Sequence, residues 1–410
     1  MRGLSLSKNT LMTKLKKPEI MCPIRDFASL QACKDYADAV YFGVNDFSMR
    51  ANADAIKLSD LKRFVTKCHK YNIKAYLTVN TMLYNDDMKK VEQIIKKAKE
   101  NKVDAIIVWD IAAIEIAKKQ KMKFFISTQA NVSNTTTTKF YQKLGACRIV
   151  LARELTFKQI KKIIKDSKIE IEVFVHGAMC VGVSGRCVLS SYLYSKSANC
   201  GTCSQPCRKE WMLMDEKGEK ITSRGKYFLS AKDICLIEQI PQLIKAGVAS
   251  FKIEGRKRDP HYIATTARCY KEAVESFFNN DFTKTKVKVW KKDLDSVYNR
   301  GYSTGFYFGT PGKEGISYDK ADNVSTVKKE LAGVVLHYYP KLKVGLVKLN
   351  HKGIKIGDKV VIEGSTTFLE QKITSIEMDN KQLTKAKKTL EVGIKFNARV
   401  RPKDKIFLLK

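Results

Sequence analysis

The sequence predicts an α/β protein: a (β/α)8 TIM-like barrel with a cysteine-rich insertion after strand seven, plus a small C-terminal β-barrel. Eight short apolar runs alternate with amphipathic helical patterns between residues 18 and 280. Buried parallel strands are expected to be such near-continuous apolar runs, and eight of them are what a closed barrel needs. From about residue 327 the pattern changes to short alternating strands separated by turn residues, which is typical of a small β-barrel.

The eight predicted strands follow one another in regular order. They are "EIMCPI" (19–24), "AVYFGV" (39–44), "KAYLTVN" (74–80), "AIIVWD" (105–110), "FFISTQA" (124–130), "RIVLARE" (148–154), "EIEVFVHG" (170–177) and "SFKIEGR" (250–256). Stretches such as "LSDLKRFVTKCHKY" between them have the 3.6-residue period of a helix, with lysines on the outer face. A doubly wound open sheet is the alternative, but it would need fewer strands or a visible switch point.

Domain boundaries follow from the same pattern. The basic start "MRGLSLSKNTLMTKLKK" lacks the apolar core of a signal peptide, so residues 1–17 are expected to be a disordered tail. The predicted units after it are the barrel at 18–280 with its insertion at 178–249, a connector containing "NRGYSTGFYFG" at 281–326, and the β-barrel domain at 327–410.

Net charge is the strongest bulk signal. The 410 residues carry a formal charge of +34, which favours polyanionic partners, RNA or DNA first. Only 15 of the 76 basic residues are arginines, so a general enrichment in lysine is the competing explanation. No stretch approaches the ~18 apolar residues of a membrane span, so we expect no membrane partner, and with no export signal recognised the expected location is the cytoplasm.

Cysteines concentrate in one short segment. "HGAMCVGVSGRCVLSSYLYSKSANCGTCSQPC" (176–207) holds five of the eleven: Cys180, Cys187, Cys200, Cys203 and Cys207. In a reducing compartment, clustered cysteines are more often metal ligands or catalytic thiols than disulfides. A zinc ribbon usually shows two C-x2-C pairs and this segment has one, so on spacing alone zinc and an iron–sulfur cluster both remain open.

Polar residues gather where the predicted strands end, which is the active-site face of such a barrel. About half should instead cap helices or form turns. The group comprises Asn45, Asn80, Asp110, Ser127, Thr128, Gln129, Asn131, Arg153, Glu154, His176, Glu254 and Arg256.

The segment "GRKRDPHYI" (255–263) adds a candidate anion site. Asp259 and Pro260 suit the first positions of a helix, and Arg256, Lys257 and Arg258 would lie beside its N-terminus. A solvated basic loop is the alternative.

Several motifs together resemble the collagenase-like peptidase family U32. They are "VFVHGAMCVGVSGRC…SANCGTCSQPCR", "FKIEGRKRDPHYI" and "NRGYSTGFYFG", and the resemblance extends over nearly the whole chain after the tail. The family was historically described as peptidases. The resemblance also implies a 4Fe–4S cluster and oxygen-independent hydroxylation of a tRNA uridine, a 23S rRNA cytidine or the ubiquinone ring. In the tRNA branch it implies prephenate, a dicarboxylate, as the oxygen donor.

Carried over residue by residue, the resemblance implies that Cys180, Cys187 and Cys203 ligate the metal. Cys207 is the expected fourth ligand, Cys235 the alternative, and Cys200 a bystander. The predicted catalytic residues are His176, Glu254, Arg256, Gln129 and Glu154. The predicted substrate- or anion-binding residues are Arg256, Arg258, Lys257, Asn131 and Arg153.

The extra β-barrel and the basic charge favour an RNA substrate, tRNA or rRNA, over a quinone. Two other functions stay open at this point. One is a peptidase, although neither an H-E-x-x-H nor a G-x-S-x-G motif occurs. The other is a non-enzymatic RNA-binding factor with structural zinc.

Overall fold

A computed structural model describes residues 15–44, 47–49, 56–221, 225–319 and 322–410. Eight parallel strands in it close into a ring, because the last strand of the series pairs with both the first and the seventh. All eight predicted strands form, which confirms the (β/α)8 barrel. They are β1 Glu19–Pro23, β2 Ala39–Phe42, β3 Lys74–Val79, β4 Ala105–Val108, β5 Phe124–Ile126, β6 Arg148–Val150, β7 Glu170–Gly177 and β9 Ser250–Ile253.

Most of the helices surround the barrel, while the shortest lies in the cysteine-rich segment 176–207. They are α1 Phe27–Cys33, α2 Leu61–Lys70, α3 Met88–Glu100, α4 Ile111–Lys119, α5 Thr135–Lys143, α6 Phe157–Asp166, α7 Leu189–Tyr194, α8 Ile240–Ala246, α9 Pro260–Phe278 and α10 Lys284–Asp295. Some strand-end residues serve only to start helices. The Asp110 carboxylate, for example, accepts a hydrogen bond from the Ala112 amide and caps α4.

The barrel interior has two layers of different character. An apolar layer contains Met21, Ala39, Tyr41, Tyr76, Ala105, Ile107 and Phe125. At the amino-terminal ends of the strands lies an interior ion cluster of Glu19, Arg148, Glu172 and Lys252, all at most 9% exposed. Glu172 accepts from Lys252 at 2.8 Å and from Arg148 at 3.2 Å. Burial opposes the charge of Glu172, but these two cations outweigh it and lower the pKa of its carboxyl group.

The insertion after β7 returns to the sheet at a short strand that sequence analysis missed. Strand β8 (Asp233–Cys235) runs antiparallel to β7, and β10 (Tyr302–Ser303) pairs with β8. Residues 281–326, predicted to be a connector, contain α10 as well as β10, and α10 packs against α9. This segment therefore forms part of the barrel's outer wall.

Antiparallel strands form the C-terminal domain, as predicted. They are β11 Lys329–Tyr339, β12 Val344–Lys348, β13 Ile354–Lys355, β14 Lys359–Glu363, β15 Phe368–Lys372, β16 Ile376–Met378, β17 Lys381–Gln382, β18 Lys385–Ala386, β19 Glu391–Lys395 and β20 Lys405–Leu409. They enclose a second apolar core that includes Val335, Val360 and Ile394. Lys329 joins this domain to the barrel, since its ammonium lies 2.9 Å from Asp259 and 2.6 Å from Glu363. None of the helices in the described ranges is long and apolar enough to cross a membrane.

Candidate active site

A cavity of about 130 Å³ opens at the carboxyl ends of the barrel strands, beneath the insertion. In a barrel of this kind that end is where active sites form. Strand residues build its floor and the insertion builds its upper wall. The lining includes Tyr41, Thr78, Asn80, Gln129, Arg153, Phe174, Lys252, Glu254 and Arg256 from the barrel, and Cys180, Cys187, Cys203 and Cys207 from the insertion.

The four lining cysteines lie near one another. Burial raises the pKa of the Cys207 thiol; Arg208 lowers it, and the thiols of Cys180, Cys203 and Cys187 raise it further. Within the described ranges, no three histidine, cysteine, aspartate or glutamate side chains converge on one point as they would around a single metal ion. The four cysteines instead line the cavity.

Two further cysteines lie outside this lining. Cys235 is on β8, where its sulfur accepts a hydrogen bond from the Tyr270 hydroxyl at 3.8 Å, and burial raises the pKa of its thiol to about 11. The Cys200 sulfur is 4.0 Å from the Tyr84 hydroxyl. The geometry therefore favours Cys207 over Cys235 as the fourth member of the predicted ligand set.

Two predicted site residues hold the loop between Cys180 and Cys187. The Ser184 amide donates to the Glu154 carboxylate at 2.6 Å, and the Ser184 hydroxyl donates to Asn131 at 2.9 Å. Ser184 has φ 47°, a strained region for a residue with a side chain, so these bonds stabilise an unfavourable backbone. Neither Glu154 nor Asn131 lines the cavity, and their position is that of supports for the cysteine loop.

Gly182 lets this loop close on itself. A Cβ atom there would come within 2.6 Å of the Arg186 carbonyl oxygen and 2.9 Å of the Cys187 Cβ. The glycine-rich sequence is thus needed for close backbone approach beside Cys187.

Lys252, Glu254 and Arg256 alternate at and just beyond β9, so all three face the inside of the barrel. The Arg256 guanidinium donates to the hydroxyls of Ser48 and, at 3.1 Å, Thr78. Sequence analysis missed Lys252, although its place two residues before Glu254 was the available signal. Burial lowers the pKa of its ammonium, although Glu172 opposes that shift.

Gln129 and Arg153 both reach the cavity. The Gln129 side-chain oxygen accepts from the Asn80 amide at 3.2 Å and from the Ser127 hydroxyl. The Arg153 guanidinium lies 4.0 Å from the centre of the Phe174 ring. Its Nε atom is buried and, among the described residues, has no hydrogen-bond partner.

His176 is not brought into the cavity. It packs behind the sheet among the rings of Tyr262, Tyr270 and Tyr302, with centroid distances of 5.4–5.9 Å. Burial lowers the pKa of its imidazole to about 3, a shift that Glu254 only partly offsets, so the ring is neutral at physiological pH. The catalytic assignment from sequence is therefore not supported by this position.

The predicted anion site also does not form as a unit. Arg256 enters the cavity, whereas the Arg258 guanidinium stacks 3.3 Å from the Tyr298 ring centre and Lys257 donates to the Cys203 carbonyl oxygen at 3.3 Å. The N-terminus of α9 is capped by Asp259, which in turn pairs with Lys329 of the C-terminal domain. Asn45, also predicted at a strand end, lies outside the described residues.

Comparison with known proteins assigns this chain to a family. The profile of Peptidase family U32 matches residues 27–317. The chain is 42% identical to an uncharacterized protease of Methanocaldococcus jannaschii, covering 96% of this chain and 98% of that protein. It is 35% identical to a collagenase of Porphyromonas gingivalis, covering 95% and 97%. It is 33% identical to tRNA hydroxylation protein P1 of Bacillus subtilis, covering 93% and 92%. With matches that span nearly the whole of both chains, the protein belongs to Peptidase family U32.

Proposed function

We propose that this protein is an iron–sulfur enzyme that hydroxylates a pyrimidine of RNA without molecular oxygen, with a tRNA uridine as the first candidate and a 23S rRNA cytidine as the second. The observation that carries the proposal is a single cavity lined by four cysteines and by Lys252, Glu254 and Arg256. The tRNA hydroxylation protein of Bacillus subtilis, aligned over 92% of its length, supports the RNA substrate.

The donor set fits a 4Fe–4S cluster. Cubane clusters are held by four cysteine thiolates, each on a different iron, so the ligands surround a space rather than meet at one point. Cys180, Cys187, Cys203 and Cys207 would hold it, with Glu154 and Asn131 fixing the loop that carries the first two. Such a cluster supplies electron transfer next to the bound substrates.

The cavity floor suits an anionic co-substrate. Lys252 and Arg256 lie 4.2 Å and 5.7 Å from the centre of the Tyr41 ring, so two buried positive charges share one wall. They would bind the carboxylates of a small dicarboxylate such as prephenate. Glu254 is the one carboxylate among the described lining residues, and in this arrangement it accepts or returns the proton moved during hydroxylation.

The base must leave its stack to reach this depth. Tyr41 and Phe174 line the cavity, and extruded pyrimidines bind against aromatic rings. The target is therefore expected in a loop or another single-stranded region.

Nucleoside mass spectrometry tests the proposal. RNA from a strain lacking this protein should lack one hydroxylated pyrimidine, and the wild-type chain should restore it while Cys187→Ala should not. Anaerobically purified protein should contain about four irons with matching sulfide. Cys187→Ala should lose them, whereas Cys200→Ala should keep them. Stoichiometric zinc without iron, or an unchanged nucleoside profile, would contradict the proposal.

A peptidase is the alternative that the names of two relatives suggest. Among the described lining residues there are serines and cysteines but no histidine, so the usual nucleophile–base pair is not assembled there. We therefore expect no gelatin hydrolysis above background.

A further inference from the structure

Two cation–aromatic pairs lie beside the mouth of the cavity. The Arg186 guanidinium is 5.7 Å from the Trp109 ring centre, and the Lys209 ammonium is 4.3 Å from the Tyr194 ring centre. Arg186 directly precedes Cys187, and Lys209 follows Cys207 by two residues. Each pair is therefore tied along the chain to a cysteine of the cavity wall.

The aromatic members are fixed to the same wall. Trp109 follows β4, and its indole nitrogen donates to the carbonyl oxygen of Asn80, a lining residue, at 3.0 Å. Tyr194 ends helix α7, whose Leu189 and Ser190 also line the cavity. The Trp109 ring is thus bonded to the cavity wall, and the Tyr194 ring is carried by a helix that lines the cavity.

The surface around the second pair is exposed and apolar. Tyr194 is 37% exposed, Leu193 42% and Tyr192 84%. Three consecutive apolar side chains therefore contact solvent, and such an exposed patch often marks a binding site. Aromatic rings interleaved with cations are the composition that grips single-stranded nucleic acid, because bases stack on the rings while the cations meet phosphates. A protein partner would more often find an uncharged apolar centre.

We propose that Arg186–Trp109 and Lys209–Tyr194 are stacking platforms for the nucleotides that flank the base inside the cavity. The inference rests on the proposed RNA substrate and adds how its strand is held. An extruded base leaves its two neighbours at the cavity mouth with unstacked faces, and each platform offers one of them a ring and a nearby cation. Recognition at this point is of single-stranded RNA, since paired bases cannot present those faces.

A double variant tests the inference against a matched control. Tyr194→Ala/Lys209→Ala removes one platform. Tyr71→Ala/Lys34→Ala removes a similar pair, 5.8 Å apart, at the helix ends on the opposite face of the barrel. Binding of a short oligouridine should weaken about tenfold in the first variant, because one stacked base is lost. The control variant should bind oligouridine like the wild-type chain. The two variants should bind an RNA duplex with similar affinities.

Two additional variants keep the result interpretable if the double variant is unstable. Tyr194→Phe should bind oligouridine like the wild-type chain because the ring remains, and Arg186→Ala should weaken binding through the other platform. If the platform and control variants bound oligouridine with equal affinity, the assignment of the platforms would be wrong. Binding by the wild-type chain would still leave the RNA proposal intact. Loss of self-association in sedimentation, with RNA binding unchanged, would overturn them in favour of a second copy of the chain. No wild-type binding to either RNA at low salt would instead remove the proposed function.

Discussion

At the scale of residues, Lys252 and Arg256 set the charge of the cavity floor. Both are less than 8% exposed, and both lie over the ring of Tyr41. Lys252 pairs with Glu172, and Arg256 donates to the hydroxyl groups of Ser48 and Thr78. Both cations therefore have fixed positions in the cavity floor.

Arg256→Ala should abolish RNA modification while RNA binding largely survives, because the proposed role of this residue is to hold the small co-substrate and not the phosphate backbone. Arg258→Ala is the matched control, since that guanidinium stacks on Tyr298 outside the cavity. Its activity should stay within a few-fold of the wild-type value. Nucleoside analysis and RNA-binding curves on both variants check this, and equal losses of activity would contradict the division between the two arginines.

His176→Phe should change how stability depends on pH. The folded-state pKa of His176 is lowered to about 3, so between that value and its ordinary 6.5 only the unfolded chain binds the proton. The contribution of His176 to the free energy of unfolding is therefore fully present above about pH 6.5 and is lost as the pH falls toward 3. Between these two pH values, His176 should change the free energy of unfolding of the wild-type chain by up to about 1.4 kcal/mol per pH unit. The variant should lack this contribution. Urea unfolding at several pH values measures it, and an unchanged slope would contradict the buried, neutral imidazole.

Arg256 and His176 also show which parts of the site the sequence could predict. The strand ends identified Glu254, Arg256, Gln129 and Arg153 correctly as cavity-lining residues. His176 was placed in the site because it ends a strand, but the bulge between Phe174 and His176 sets the side that its ring faces. A bulge depends on the neighbouring strand, so the sequence of β7 alone does not reveal it.

At the scale of elements, the Cys180–Cys187 loop contains one short 3-10 turn, Val183–Gly185, and is held to the barrel by side chains. Glu154 and Asn131 follow β6 and β5, and both bond to Ser184. These bonds fix the backbone between Cys180 and Cys187 against the barrel. In the proposed cluster site, a fixed loop would lower the ordering cost of binding.

Glu154→Ala should therefore reduce the iron retained after anaerobic reconstitution, because Ser184 loses the partner of its amide. Glu115→Ala is the control, since that carboxylate forms an exposed pair with Lys118 on α4. Iron and sulfide analysis, with visible absorption, gives the comparison. If the Glu154 variant kept full iron content, the role of Glu154 as a support would be wrong.

Element prediction succeeded where the hydrophobic pattern was long enough. All eight barrel strands, including the three-residue β5 and β6, lie in predicted runs of six to eight residues, whereas β8 is the short segment "DIC" and β10 is "YS". Such short strands are created by their neighbours: β8 forms because Cys235 and Ile234 meet the end of β7. Helix α10 was missed because the change in composition after Asn280 suggested that the barrel had already ended.

At the scale of the whole molecule, the C-terminal domain covers the N-terminus of α9. Lys329 bridges Asp259 of the barrel and Glu363 of β14, and His261 lies 3.7 Å from Glu370. The helix terminus predicted to bind an anion is occupied by this contact. The sequence pattern identified both domains, but a contact between residues 70 positions apart lies beyond local patterning.

Neutralising Lys385, Lys387 and Lys388 on the exposed surface of the C-terminal domain should weaken RNA binding. The slope of log affinity against log salt should flatten by up to ~3 units, near one per lost phosphate contact. Neutralising Lys89, Lys96 and Lys97 on α3 removes the same charge from the barrel's outer surface and serves as control. Binding curves at several salt concentrations decide between them, and equal slopes would show that charge, not placement, governs binding.

The interior ion cluster ties four positions of the chain to one another. Glu19, Arg148, Glu172 and Lys252 contribute two negative and two positive charges inside the barrel. Replacing Glu172 would leave the buried Lys252 ammonium without its ion-pair partner, at a cost of about 3–5 kcal/mol, whereas coordinated replacement by apolar side chains avoids that cost. Substitutions at these positions are thus expected to depend on one another, whereas residues at the mouth of the cavity can change one at a time. Lys252 belongs to both groups, because it completes the cluster and lines the cavity. A different residue at position 252 would therefore need compensating changes at the opposite end of the barrel.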